Sequence, residues 1–288
     1  MATVTQTNSS AVSRALLLGF AAIAPVVALA FLRSNVVLAL VPLFLSHLLL
    51  LYATLAPNCQ WWGPIITRFQ ASAREVWLTI DDGPSPADTL AMLDLLKQFD
   101  AHATFFVVGA NAEKYPHLVT EILTQGHTLA NHTQTHPSRT FWSAGPAKIA
   151  REIDACAETL RIIPERPPFC FRAPVGFKNM FTHPAAARRG LALIGWSVRG
   201  LDTVKRDASS VAERVERGAK PGAIIVLHEG HRTESLPGFN LRCLELVLQR
   251  LSSRGYRFVL PRPEQLRAGK CRVDYSKAHC PTSALPLR

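Results

Sequence analysis

The sequence predicts an α/β protein built on a parallel sheet and preceded by an apolar amino-terminal appendage. Three observations carry that expectation. From Val76 onward, strand-like and helix-like segments alternate in about seven units, the pattern of a parallel sheet that is either closed or doubly wound. Asp81, Asp82, His132, Arg172, Asp202 and His228 each stand at or just past the carboxyl end of a predicted strand. In a barrel that rim is where sites are assembled. Finally, residues 1–56 hold only Arg14 and Arg33 as charged side chains.

Met1–Ser13 is polar and expected to be disordered. Ala15–Leu32 is an uncharged apolar run of 18 residues, and Val36–Leu55 a second of 20, each near the roughly 20 that cross a bilayer core. Arg33, Ser34 and Asn35 separate them. A cleaved signal peptide fits poorly, because the second run follows the first at once. The expectation is a transmembrane helical hairpin within residues 1–57, a multi-pass anchor in a bacterial-type inner membrane. Arg14 flanks one end of the hairpin, and Arg68 and Arg74 flank the other. This distribution puts the soluble domain on the cytoplasmic side. Residues 58–75 read as a juxtamembrane linker with Trp61 and Trp62 as interfacial anchors, 76–268 as the barrel, and 269–288 as a tail.

Of the formal net charge of +11, the first 56 residues carry two, leaving +9 on the remainder. A basic domain beside an apolar anchor suits an anionic membrane face or an anionic, lipid-linked substrate. Nucleic acid is disfavoured, since no aromatic-interleaved basic motif appears. Six cysteines without CxxC spacing read as free thiols.

The first strand of the domain, Val76–Ile80, is short, apolar and β-branched, and stops at Asp81-Asp82-Gly83-Pro84. Side chains alternate on a strand, so an acidic pair within it would bury one carboxylate. At the carboxyl end both can reach one open site, and two carboxylates so close repel unless a cation or a shared proton separates them. Helices follow at Pro86–Phe99, Pro116–Gln125, Ala147–Arg161, Ser209–Arg217 and Phe239–Arg254, with a helical turn at Pro184–Arg189. Strands follow at Ala103–Val108, Thr128–Ala130, Cys170–Arg172, Ala192–Ser197, Ala223–Leu227 and Phe258–Leu260. His102, His117, His127 and His183 read as solvated side chains. Glu229 and His231 read equally as residues shaping the mouth of the site or as a polar loop.

His132 and His136 are four apart, so on one helical turn both imidazoles face the same way and can grip one ion. With a carboxylate from the acidic pair they make a two-His, one-Asp set whose remaining positions are open, a catalytic type of metal site.

In order along the chain, Thr79-Ile80-Asp81-Asp82-Gly83-Pro84, His132-Thr133-Gln134-Thr135-His136, Arg172-Ala173-Pro174, the Asp202 segment and Val226-Leu227-His228 resemble the five motifs of the polysaccharide deacetylase (NodB-homology) family. The resemblance spans about Val76 to Leu260. It implies a distorted (β/α) barrel that hydrolyses an N-acyl group from an amino sugar. Asp82, His132 and His136 would hold a divalent cation, Zn²⁺ first, with Co²⁺, Ni²⁺ or Mn²⁺ as alternatives. Asp81 would be the general base and Arg172 its partner. His228 would protonate the leaving amine with Asp202 orienting its ring, and a backbone N–H near Val175 would stabilise the oxyanion.

Four departures stand out. Ile80 replaces a Phe, Val175 an aromatic, Arg199 the first Asp of an Asp-x-x-Asp-Trp motif, and Thr203 its Trp. The lost aromatics remove a sugar-stacking wall, and Arg199 suits an anionic substrate such as a sugar phosphate. The sequence is therefore read as a membrane-anchored N-deacylase (acetyl or formyl) of an amino sugar, with a lipid-linked sugar favoured over a wall polymer. It resembles the deacylases that trim amino sugars on undecaprenyl phosphate before lipid A modification. A cell-wall polysaccharide or peptidoglycan deacetylase is one alternative, and an inactive membrane-bound carbohydrate-binding barrel another.

Overall fold

The structure is a computed structural model that describes residues 8–161, 168–231, 233, 235–268 and 271–272. It begins with two antiparallel helices, α1 (Asn8–Phe31) and α2 (Val36–Leu55). Helix α1 starts at Asn8, so the polar stretch expected to be disordered is helical from there onward. At the turn, Asn35 caps α2, its side-chain oxygen accepting from the backbone N–H groups of Val37 and Leu38 at 3.1 Å. Pairing follows a seven-residue spacing of mostly small residues, Leu17 and Ala24 on α1 and Ala39, Ser46 and Ala53 on α2, all buried. Small side chains let helix backbones approach closely, which is how apolar helices associate where water offers no driving force. Outward-facing Leu16, Ile23, Val26, Leu29 and Phe44 are exposed. Both helices are long and apolar enough to cross a membrane, a test that a signal sequence near the amino terminus also passes.

The domain that follows alternates as expected. Its elements are β1 (Glu75–Asp81), α3 (Thr89–Gln98), β2 (Ala103–Val107), α4 (Gly109–Lys114), α5 (Pro116–Thr124), β3 (Thr128–Asn131), α6 (Pro146–Leu160), β4 (Cys170–Phe171) and α7 (Thr182–Ala187). Then come β5 (Ala192–Leu193), β6 (Val198–Arg199), α8 (Ala208–Gly218), β7 (Ala223–His228), α9 (Phe239–Ser253) and β8 (Arg257–Phe258). Strands run in the order β5-β4-β3-β2-β1-β7-β6, all parallel, with β8 paired to the start of β1. The result is a curled α/β half-barrel. The single strand expected at Ala192–Ser197 is two short ones, because Gly195 and Trp196 leave the ladder between them.

Period-two alternation decides what faces where. On β1, Val76, Leu78 and Ile80 point outward into a core shared with Leu93, Leu96, Val215, Leu244 and Leu248 of the helices. Trp77 points inward, with Phe106, Ala130, Cys170, Ile224 and Val226. The same parity continued to the strand ends gives the interior side to Asp81, His132, Arg172 and His228. On β6, Val198 belongs to the outer core and Arg199 takes the opposite parity.

Residues 58–75 are not a free linker. Ile66 and Phe69 are buried in the inner core, and Ile66 bridges Ile194 along the open edge of β5. Trp62, expected as an interfacial anchor, is 3% exposed and packs against Leu17 and Ala53. His127 and His183, expected in solvent, are also buried. The reason is common to all of them, since each contacts an element remote in sequence. Cys59, Cys156, Cys170 and Cys243 are free thiols, while Cys280 lies outside the described residues.

Candidate metal centre and catalytic pocket

Asp82 follows β1 with φ of 77°, a left-handed conformation that turns its carboxylate across the rim. Its Oδ1 lies 3.2 Å from His132 Nε2 and 3.1 Å from His136 Nε2. The two histidines do not share a helical turn. Residues 132–136 form an irregular loop, and positive φ at Thr133 (70°) and His136 (48°) folds the second ring back on the first, centroids 4.9 Å apart. The two rings of the HxxxH pair thus meet through loop conformation and not through helical periodicity.

The triad fits a cation. One ligand atom from each of Asp82, His132 and His136 converges within 4.8 Å of the others. Asp82 Oδ1 is buried with no hydrogen-bond partner, although buried acceptors are ordinarily satisfied. His132 Nδ1 is 2.8 Å from the Arg172 carbonyl oxygen. With Nδ1 donating to that carbonyl, Nε2 is the ring atom that faces Asp82 and would ligate a cation, the arrangement in which an outer partner orients a metal-binding imidazole. Burial, with the neighbouring His132 charge, pushes His136 down to about 4, so its ring is neutral and able to ligate. For Asp82, burial opposes ionisation, but His132 and His231 outweigh it and hold the carboxyl well below the usual range.

Two further pairs flank the triad. Asp81 and Arg172 are both buried, with Arg172 Nη1 2.5 Å from Asp81 Oδ1. The guanidinium also donates to Thr79 Oγ1 and the Gly195 carbonyl, and lies 4.0 Å over the Phe106 ring. Across the site, His228 Nδ1 lies 3.0 Å from Asp202 Oδ1, and Asp202 Oδ2 accepts from the His228 backbone N–H at 2.7 Å. Burial opposes the charge on His228, but the Asp202 carboxylate reverses that and carries the imidazole up to about 9.

These residues enclose a cavity of about 240 Å³ lined by Asp81, Asp82, His132, His136 and His228 together with Val175, Trp196, Arg199 and His231. Every site residue expected from the sequence lines this cavity or, for Arg172 and Asp202, pairs with one that does. Three features go beyond the sequence reading, which left His231 and Glu229 open between the mouth of the site and a polar loop. His231 places Nε2 2.5 Å from Asp82 Oδ2, on the side away from the triad. Trp196 supplies an aromatic wall, correcting the expectation that replacement of the usual aromatics leaves none. Glu229 is fully buried behind Gly83 and bonded to Thr89, and burial raises it to about 8. For His231 the only available signal was its place three residues after His228; for Trp196 there was none, because it stands in no predicted motif.

The chain is similar in sequence and fold to several known proteins. The polysaccharide deacetylase family profile matches residues 69–194. A chitooligosaccharide deacetylase of Bradyrhizobium sp. (strain ANU 289) is 32% identical over 192 residues, covering 66% of this chain and 85% of that protein. A peptidoglycan-N-acetylglucosamine deacetylase of Bacillus cereus is 33% identical over 185 residues, 63% of this chain and 84% of the relative. Among solved structures, the Bc1960 peptidoglycan N-acetylglucosamine deacetylase superposes with a TM-score of 0.61 at 30% identity, covering 67% of this chain and 88% of that one. A family 4 carbohydrate esterase from Streptomyces lividans gives 0.60 at 29% identity, covering 69% and 98%. Shared fold, ordered motifs and extent of identity lead to one conclusion: this chain belongs to the polysaccharide deacetylase family of hydrolytic N-deacetylases.

Proposed function

We propose that the protein is a metal-dependent, membrane-anchored hydrolase that removes the N-acyl group of an amino sugar carried on a lipid. The observation that carries the metal dependence is the buried, partnerless Asp82 Oδ1 facing two imidazole nitrogens at 3.2 and 3.1 Å. Asp82, His132 and His136 hold the cation, and Zn²⁺ suits one carboxylate and two imidazoles. When bound, the cation supplies Lewis-acid polarisation and makes water a stronger acid.

The chain's own residues do the rest. Asp81, aimed by Arg172, takes a proton from the attacking water as it adds to the acyl carbonyl carbon. The backbone N–H of Val175, in a loop turned by its own φ of 59°, faces the developing oxyanion. As the C–N bond breaks, His228 Nε2 gives its proton to the departing amine. Asp202 on Nδ1 keeps the ring cationic and oriented. The products are a carboxylate and a free amino sugar.

Two apolar helices, the +9 balance of the remainder and Arg199 in the cavity support the lipid-linked, anionic substrate and the anchor in a cytoplasmic membrane. Trp196 and the names of the relatives favour a second reading, a soluble or wall-borne N-acetylglucosamine oligomer, because an aromatic wall is suited to stacking on sugar rings. Purified full-length protein, stripped and reloaded with Zn²⁺, should release acetate from N-acetylated chitooligosaccharides, and Asp81→Asn should lower turnover by about 10²–10⁴ while retaining the metal. Loss of metal in Asp81→Asn would exchange the roles given to the two aspartates.

A further inference from the structure

The base of the helical hairpin meets the barrel at a wall of the catalytic cavity. Lys178 makes the joint. It is 2% exposed, and its Nζ donates to the carbonyl oxygens of Ala56 at 2.7 Å and Pro57 at 2.9 Å. Those carbonyls follow α2 directly, at the helix end whose dipole favours a cation. The Lys178 backbone N–H donates to the Thr54 carbonyl at 3.1 Å, a third bond to the same helix end. Burial lowers the ammonium to about 8, so this is a desolvated lysine held by backbone oxygens.

One residue separates this joint from the chemistry. Gly176 has φ of +75°, and a Cβ there would lie 2.6 Å from the Trp196 ring and 2.7 Å from Pro57 Cβ. Only a glycine lets the anchor and the aromatic wall approach so closely. Asn58 Nδ2 donates to the Trp196 carbonyl at 2.7 Å. Gly176 and Trp196 line the same cavity as Asp81, Asp82 and His132. Leu17 of α1, Ala53 of α2 and Trp62 beyond it form a buried cluster against which Met180, two residues past Lys178, packs. Arg199 completes the corner, its guanidinium 5.6 Å over the Trp196 ring and its buried Nε without a partner.

We propose that the hairpin is a rigid mount rather than a tether, with Lys178 bolting the base of α2 to the cavity wall so that the mouth opens at the bilayer surface onto an amino sugar borne by a membrane lipid. This rests on the membrane-anchored deacetylase reading above. A fixed mount presents the site to a substrate confined to the same surface, raising its effective concentration, whereas a loose tether leaves the mouth randomly oriented. Arg199 at that corner suits the phosphate that joins such a sugar to its lipid.

The test uses the full chain, loaded with Zn²⁺ and reconstituted into phosphatidylethanolamine–phosphatidylglycerol vesicles. Two probes carry the same reacting group at equal bulk concentration: N-acetylglucosaminyl diphosphate polyprenol in the bilayer and chitotetraose in solution. Wild type should deacetylate the embedded probe at least about tenfold faster, the gain of confinement to one surface. Lys178→Met should lose that preference while its chitotetraose rate stays within about twofold, and Lys178→Arg should keep it, since a guanidinium can still donate to both carbonyls. Equal wild-type rates on both probes would overturn the proposal, and this comparison needs no variant to fold. A parallel fall on both probes in Lys178→Met would also overturn it, reducing the lysine to a structural role. Failure of the underlying reading is separately visible, as acetate release from neither probe or as protein washed from the vesicles by carbonate.

Discussion

Replacing Asp202 by Asn should strip His228 of its proton near neutrality. The Asp202 carboxylate is 1% exposed and lies 3.0 Å from His228 Nδ1, while the imidazole is 12% exposed. Burial alone would hold His228 below its ordinary 6.5, and the Asp202 charge carries it up to about 9 instead. At about pH 7.5 a group titrating near 9 is roughly 97% protonated, and one at or below 6.5 is at most about 10% protonated. The variant should therefore turn over more slowly there, by up to about tenfold, and the alkaline limb of its pH–rate profile should move acidward of the wild type's, since only Asp82 and Asp81 are left to raise the imidazole against burial. The stability sign follows from a folded-state value above the unfolded one. The contribution is fully present below 6.5 and is lost as pH rises through about 9. That gap corresponds to about 3 kcal/mol, so apo Asp202→Asn should melt lower than wild type near pH 6 and converge with it near pH 10. Acetate release measured across pH, beside thermal melts, tests both statements. An alkaline limb at the same pH in both proteins would refute the reasoning.

Three other outcomes follow from the same geometry. His132→Ala should lose bound metal and turnover together while circular dichroism remains native, and full metal occupancy with normal turnover would remove the triad from the mechanism. Arg172→Met leaves Asp81 buried without its partner at 2.5 Å, which should cost about 3–5 kcal/mol of stability by denaturant unfolding. Restoring most of that loss in Arg172→Met/Asp81→Leu would confirm that the orphaned charge is the cause. A phosphatase fused after Arg288 should be inactive and a fluorescent protein there bright, because arginines flank both ends of the hairpin. The opposite pattern would place the barrel outside and favour the wall-polymer substrate.

What the sequence determined by itself was everything carried by neighbours along one element. Alternation of strands and helices, the acidic pair at the end of β1, the polar residues at other strand ends and two apolar runs of spanning length are all local patterns. Strand parity then put Asp81, His132, Arg172 and His228 on one face. What only the tertiary structure decided was how remote segments meet. Arg172 reaches Asp81 from 91 residues away, and His231 reaches Asp82 from 149. Trp196 became a wall because the ladder breaks beside it, and Ile65, Ile66 and Phe69 became core because Ile66 closes the open edge of β5. Even the His132–His136 pair, visible as a spacing, met through two left-handed residues that no periodicity encodes. The physical reason is that side-chain periodicity specifies a face, whereas contacts across a curled sheet depend on register, curvature and loop conformation, which are settled only when the whole core packs at once.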